Sequence, residues 1–156
     1  VQTLSSKYGT GFTYTKTAPL KPLSAPEILI QTDTLIAGKR QVFLTITPGR
    51  DVNRLEVFTN ETPVLQAAVN GASLPPYYLK NRSRSRLFTH YISRNDPTEI
   101  FLVFPEGEPL ELTFYEASNS LLTDPNFSIP PRPSDQIPMP FVLNDAVVLI
   151  KKLSFE

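Results

Sequence analysis

Short runs in which hydrophobic and polar residues alternate recur along most of this chain. In residues 110–115, Leu110, Leu112 and Phe114 would lie on one face of an extended strand and the intervening residues on the other. No window of about a dozen residues has the i, i+3, i+4, i+7 spacing of hydrophobic residues that is typical of an amphipathic helix. We therefore predict an all-β fold, an antiparallel β-sandwich of about eight strands. The strands are predicted at residues 27–31, 41–47, 54–59, 64–69, 86–93, 99–104, 110–115 and 146–153.

Turn residues stand between these runs. Asn70-Gly71 is the clearest signal, because this dipeptide suits the positive φ angles of a tight hairpin turn. The run at 64–69 follows Pro63, which also suits the first position of a helix. A helical turn is the alternative there, but we expect a strand. Further turns are predicted at residues 37–39, 48–51 and 95–97.

By length the chain forms one domain, which we place at residues 26–156. Residues 1–25 are polar and contain prolines, which indicates a linker or lead-in segment. Phe12 and Tyr14 alternate with threonines there, a pattern compatible with a short edge strand.

A long proline-rich segment separates the last two predicted strands. Each proline removes a backbone donor and fixes φ, so the segment is predicted to be neither a helix nor a central strand. We expect a strap that lies over the domain before the final strand docks. Its prolines are Pro125, Pro130, Pro131, Pro133, Pro138 and Pro140.

Composition excludes several classes of protein. The formal net charge is +0, so no long-range field attracts nucleic acid. Cysteine is absent, which excludes a disulfide framework and a thiol nucleophile. No run approaches the ~18 apolar residues of a membrane helix, so we expect no direct membrane insertion by this domain. The start at Val1 lacks a signal-like segment, as expected of a processed or excised piece.

Charges are sorted along the chain. Residues 62–95 carry basic side chains and no acid, whereas residues 96–124 carry acids and no base. The turn at 95–97 predicts a hairpin between the strands at 86–93 and 99–104, with opposite charges paired across it. A solvated ladder of such pairs is the plainer interpretation, since exposed ion pairs contribute little.

The candidate contact residues for a partner or an anion lie in one short segment. If that segment is extended, Arg82, Arg84 and Arg86 share one face and could grip a carboxylate, a phosphate or an acidic protein surface. Tyr77 and Tyr78 could add a platform for a peptide or a sugar, although tyrosine more often lies at the rim of a core.

We predict no catalytic, cofactor-binding or metal-binding residue. His90 is the only histidine, and a catalytic zinc site needs several protein ligands. We interpret it as a half-buried packing residue. Glu106 and Glu108 flank Gly107 in a turn, which explains them better than paired-carboxylate catalysis. A small hydrolase is disfavoured because no Ser-His-Asp order or nucleophile elbow is present.

The last third of the chain nevertheless resembles a known family. The residues Leu110-Glu-Leu-Thr-Phe-Tyr-Glu, Pro131-Arg-Pro, Pro138-Met-Pro and Asp145-Ala-Val-Val are similar to the C-terminal β domain of multi-pass-membrane M28-family zinc metallopeptidases. Ala25-Pro-Glu-Ile-Leu-Ile and Ala67-Ala-Val-Asn-Gly fit less specifically. The resemblance covers roughly residues 25–156.

That resemblance implies a non-catalytic accessory domain on the extracytoplasmic side of a membrane, periplasmic or lumenal. It would pack against the catalytic domain of the same polypeptide or shape access to it. The zinc would be held in that catalytic domain and not by this chain. The alternative is an independent extracytoplasmic ligand-binding or adhesion module for a peptide, a sugar or an acidic partner. Such a module would use Tyr77, Tyr78 and the arginines at 82, 84 and 86.

Overall fold

The computed structural model describes residues 3–5, 12–14, 17, 20–138 and 143–156. These residues form mainly β-strands, with one short helix. The elements in chain order are β1 (Thr3–Ser5), β2 (Phe12–Tyr14), β3 (Glu27–Ile36), β4 (Lys39–Thr47), β5 (Arg54–Thr59), β6 (Gln66–Val69), β7 (Ala72–Ser73), α1 (Pro76–Asn81), β8 (Arg86–Tyr91), β9 (Thr98–Pro105), β10 (Leu110–Ser118) and β11 (Val147–Phe155).

Two antiparallel sheets form the body of the protein, which confirms the predicted β-sandwich. The five-stranded sheet has the order β3-β4-β9-β6-β7, and the four-stranded sheet has the order β11-β10-β5-β8. β1 and β2 pair with each other in a separate two-stranded sheet, which matches the strand pattern seen at Phe12 and Tyr14.

The inward faces of the two sheets enclose the hydrophobic core. Leu110, Leu112 and Phe114 of β10 are each 0% exposed, as their alternation predicts. Ile100 and Phe104 of β9 belong to the same buried cluster from the other sheet. Burial of these apolar side chains holds the two sheets together.

The predicted hairpin between residues 86–93 and 99–104 is wrong. β8 pairs with β5 in the four-stranded sheet, while β9 lies between β4 and β6 in the five-stranded sheet. The turn residues exist, but they carry the chain from one sheet to the other. Arg94 and Asn95 have positive φ angles, and the Asn95 amide oxygen accepts a hydrogen bond from the Val52 backbone at 3.0 Å. This contact ties the crossover to the loop before β5.

Three local features depart from the predicted pattern. β3 extends to Ile36 and has a bulge between Ile30 and Thr32. The run at 64–69 is a strand, but it begins only at Gln66. Helix α1 was not predicted, and Pro76 occupies its start, where a proline loses no helical hydrogen bond.

The proline-rich connection joins two paired strands. β10 and β11 are antiparallel neighbours from Leu110↔Phe155 to Ser118↔Val147, so the segment leaves and re-enters the same part of the sheet. Its described residues, 119–138 and 143–146, contain neither helix nor strand, while Pro140 lies outside the described residues. The Leu121 backbone N–H donates to the Asp145 carbonyl at 3.0 Å and closes its base.

Gly49 is required where the lead-in segment crosses the loop after β4. A Cβ atom at this position would lie 2.3 Å from the carbonyl oxygen of Ala25. We expect Gly49→Ala to lower the free energy of unfolding by about 2–3 kcal/mol, because backbone must move. Gly107→Ala is the control, since it meets no atom within 4 Å but has a φ of +78°, which costs ~1 kcal/mol. Urea unfolding measures the free energy of unfolding of both variants. Equal losses would contradict the close approach of residue 49 to the Ala25 carbonyl oxygen.

Candidate binding groove and open edge

Most of the predicted contact residues lie along one side of the sandwich, beside β8. Helix α1 and the segment at 82–85 border a groove of about 960 Å³, and the segment at 59–65 forms its opposite wall. We call this the Arg82 groove. Its lining includes Thr59, Val64, Leu79, Lys80, Arg82 and Arg84.

Helix α1 is anchored to the core on one face and to β8 on another. Leu79 is 9% exposed and belongs to the core cluster. The Tyr78 hydroxyl lies 3.1 Å from the Arg86 carbonyl oxygen and 2.9 Å from that of Leu87. β8 is an outer strand of its sheet, and this hydroxyl has one proton to donate to its carbonyl oxygens.

Arg82 lies at the base of the groove. Its guanidinium donates from Nη2 to the Thr59 hydroxyl at 2.7 Å and from Nη1 to the Ser85 carbonyl at 3.0 Å. Both acceptors are neutral, and no carboxylate of the described chain forms an ion pair with Arg82. Burial lowers the pKa of Arg82 from its ordinary value. Its positive charge is therefore fixed in place and uncompensated.

Arg84 is exposed and makes no hydrogen bond or ion pair with the residues that the structure places. It separates the groove from a second hollow of about 330 Å³, which Phe58 and Arg86 also line. Lys80 adds a third cation to the Arg82 groove, and among its described lining residues Glu61 is the single acid. The groove thus carries an excess of positive charge.

The segment that carries the three arginines is not extended throughout. A bend at residues 84–85 interrupts the extended chain before β8 begins, so the alternation is lost. Arg86 lies on β8, and its Nη1 is 3.2 Å from the Glu56 carboxylate on β5. Arg54 binds the same carboxylate at 2.7 Å. Burial alone would raise the pKa of Glu56, but these two guanidinium groups bring it below its ordinary value.

The two tyrosines on α1 are not among the residues that line the groove. Tyr77 is 80% exposed on α1 but does not line the groove, while Tyr78 is occupied by its contact with β8. His90 is half-buried on β8, and burial lowers its pKa. This agrees with its interpretation as a packing residue.

Glu116 is a buried acid that the strand prediction missed. The alternation of β10 continues past Phe114 and places Glu116 on the inward face, where it is 0% exposed. Neither carboxylate oxygen has a hydrogen-bond partner among the residues that the structure describes. Burial raises the pKa of Glu116 from 4.5 to about 7, although the nearby Arg50 guanidinium opposes the rise. Extending the two-residue period beyond 115 would have identified this residue.

The opposite side of the sandwich is open. Arg40 of β4 lies 5.5 Å from the ring centre of Phe155 on β11, so the outer strands β3 and β11 are on the same side. Ile30 and Leu35 of β3 pair with Leu44 and Arg40, which places them on the inward face. They are nevertheless 41% and 59% exposed. Ile28, at the start of the same face, packs against the core. We call the exposed inward-facing part of β3, from Ile30 to Leu35, the open edge.

Comparison of the chain with protein-family models, with curated proteins and with solved structures finds no match. Among the residues that the structure describes, no group of three or more His, Asp or Glu side chains is placed to hold a metal ion. In the same part of the chain no helix is long and apolar enough to cross a membrane. The two surfaces with identifiable chemistry are the Arg82 groove and the open edge.

Proposed function

We propose that this chain is a non-catalytic accessory domain that packs against another protein domain through its open edge. In the form that the sequence resemblance implies, the partner is the catalytic domain of an M28-like zinc metallopeptidase in the same polypeptide. The domain would then lie on the extracytoplasmic side of a membrane. It would support the catalytic domain or shape access to it, and the zinc would be bound by that domain.

The observation that carries this proposal is the exposure of core-facing residues on β3. The five-stranded sheet is one strand wider than the four-stranded sheet, and β3 is its outermost strand. Ile30 and Leu35 therefore face inward without a cover. Covering apolar surface yields roughly 25 cal/mol per Å², which favours a docked neighbour.

The free side of β3 supports the same conclusion. β3 has ten residues and pairs only with β4 in the described sheet, so a row of its backbone donors and acceptors is available to a partner. A long outer strand with exposed apolar residues is a typical docking edge and, if uncovered, an aggregation hazard. An adjoining domain would satisfy both the backbone groups and the apolar side chains.

A matched pair of variants on β3 tests this docking. Leu35 faces inward and Leu29 outward, yet they are 59% and 58% exposed. We expect Leu35→Lys to weaken association with the separately produced remainder of the polypeptide at least tenfold, because a lysine would be desolvated under the partner. Leu29→Lys should weaken it less than threefold. Calorimetric titration measures both; equal losses, or none, would refute docking on the inward face.

The encoding reading frame tests the peptidase form of the proposal. Transmembrane spans and a zinc-peptidase domain upstream of residue 1 are expected. Deletion of residues 26–156 from that polypeptide should then impair its folding or its peptidase activity, and full retention of both would remove the supporting role. A signal peptide directly upstream would instead favour an independent module.

A second candidate function is a module that binds an acidic partner. The specific observation in its favour is Arg82, whose charge is held in the groove by neutral oxygen atoms only. This function requires neither the M28 resemblance nor the open edge.

A further inference from the structure

We propose that the Arg82 groove binds an acidic peptide segment of a partner protein, with a carboxylate on Arg82 and an apolar side chain on the groove floor. This inference rests on the second candidate function, the groove as a binding site, and is independent of docking at the open edge.

The first argument is the state of Arg82. A guanidinium has five N–H donors, and the contacts to Thr59 and Ser85 employ one nitrogen each. Donors remain for an incoming carboxylate, which can accept two parallel hydrogen bonds. The two existing contacts hold the guanidinium in position, so little side-chain entropy is lost on binding.

The second argument is the floor of the groove. Val64 and Leu79 are 6% and 9% exposed and line it together with Pro63 and Pro76, while Leu65 is 41% exposed at its margin. Apolar walls with a few placed polar groups are typical of ligand sites. A free inorganic anion would leave this apolar surface unused, whereas a peptide can cover it.

The third argument is the distribution of charge. Three cations lie along the last turn of α1 and the segment after it: Lys80, Arg82 and Arg84. They can therefore bind several carboxylates of one peptide. Three cations on a protein of zero net charge are too few to retain a nucleic acid. The Tyr78 hydroxyl occupies carbonyls at the start of β8, so the peptide should bind through its side chains and not as an added strand.

The test uses a synthetic peptide of sequence Glu-Leu-Glu-Glu-Leu-Glu, blocked at both ends, and its counterpart with glutamine for each glutamate. In a titration followed by amide chemical shifts, the acidic peptide should shift residues 79–85. The glutamine peptide should bind at least tenfold more weakly, since charge-assisted hydrogen bonds are lost. Shifts confined to other surfaces, or equal binding of both peptides, would overturn the proposal.

Variants separate the role of charge from folding. Arg84→Glu alters an exposed side chain without a partner in the described chain and should reduce affinity about tenfold with an unchanged unfolding curve. Arg94→Glu, at an exposed arginine outside the groove, should change affinity less than twofold. Arg82→Gln should abolish detectable binding; if it unfolds the domain, the Arg84→Glu result decides.

Two outcomes distinguish the acidic-peptide proposal from the second candidate function, on which it rests. If inorganic phosphate at the same concentration produces the same shifts with equal affinity, the groove is a simple anion site and the peptide assignment fails. If the peptide does not bind but a physiological partner loses affinity with Arg84→Glu and not with Arg94→Glu, the groove remains a binding site for another ligand. In that case the acidic-peptide proposal is wrong while the second candidate function stands.

Discussion

The unmodified domain is expected to lose stability as the pH rises from 5 to 8, and the Glu116→Gln variant is expected not to show this loss. Burial raises the folded-state pKa of Glu116 to about 7, compared with 4.5 for an ordinary glutamate. The folded protein therefore holds a proton that the unfolded chain releases. The resulting stabilisation is complete below about pH 4.5 and is lost as the pH rises through 7.

The size of the effect follows from the pKa difference. A rise from 4.5 to about 7 corresponds to about 3 kcal/mol as an upper bound. The physical cause is burial of the carboxylate, which the nearby Arg50 guanidinium offsets only in part. Arg50 Nη2 donates to the backbone carbonyl of Glu116 at 2.8 Å, and Nη1 donates to the Ser118 hydroxyl. Arg50 thus offers nearby charge but no hydrogen bond to the carboxylate itself.

Urea unfolding at pH 5, 6, 7 and 8 measures the effect. Glu111→Gln is the control, because Glu111 lies on the same strand but is exposed and paired with Lys152. His90 acts in the opposite direction, since burial lowers its pKa and its contribution to stability rises with pH. Subtracting the pH dependence of the free energy of unfolding of Glu116→Gln from that of the unmodified domain isolates the contribution of Glu116. A pH dependence that survives Glu116→Gln unchanged would disprove it.

The second large effect is expected for Phe114→Ala, which should lower the free energy of unfolding by about 3–5 kcal/mol. Phe114 is 0% exposed and lies on β10, between β5 and β11. Removing the ring loses the free energy gained by burying it and leaves a cavity that the surrounding strands cannot fill completely.

Thr113→Ala, at the adjacent outward-facing position, is the matched control for Phe114→Ala. It is half-buried and should cost less than about 1 kcal/mol. Urea unfolding of the two variants measures whether alternation assigns the faces of β10. Similar costs would show that the inward face has been placed on the wrong residues.

Local patterns singled out two of the groove residues, Arg82 and Arg84. They are close in sequence, so any compact fold keeps them near one another. What the pattern missed is the bend at residues 84–85, after which Arg86 lies on β8 and pairs with Glu56. The contact between Arg82 and Thr59 spans 23 residues, and no local signal announces it.

By itself the amino-acid sequence determined the strands, the faces that they bury and the Asn70-Gly71 turn, because the two-residue period and the φ preferences of turn residues act over a few neighbours. Only the tertiary structure decided which strands pair. A turn at residues 95–97 is equally compatible with a hairpin and with a crossover, and the choice depends on burying β8 beside β5 and β9 between β4 and β6. The open edge likewise arises because the two sheets have unequal widths. The position of Arg82 depends on its contact with Thr59, which is distant in the sequence.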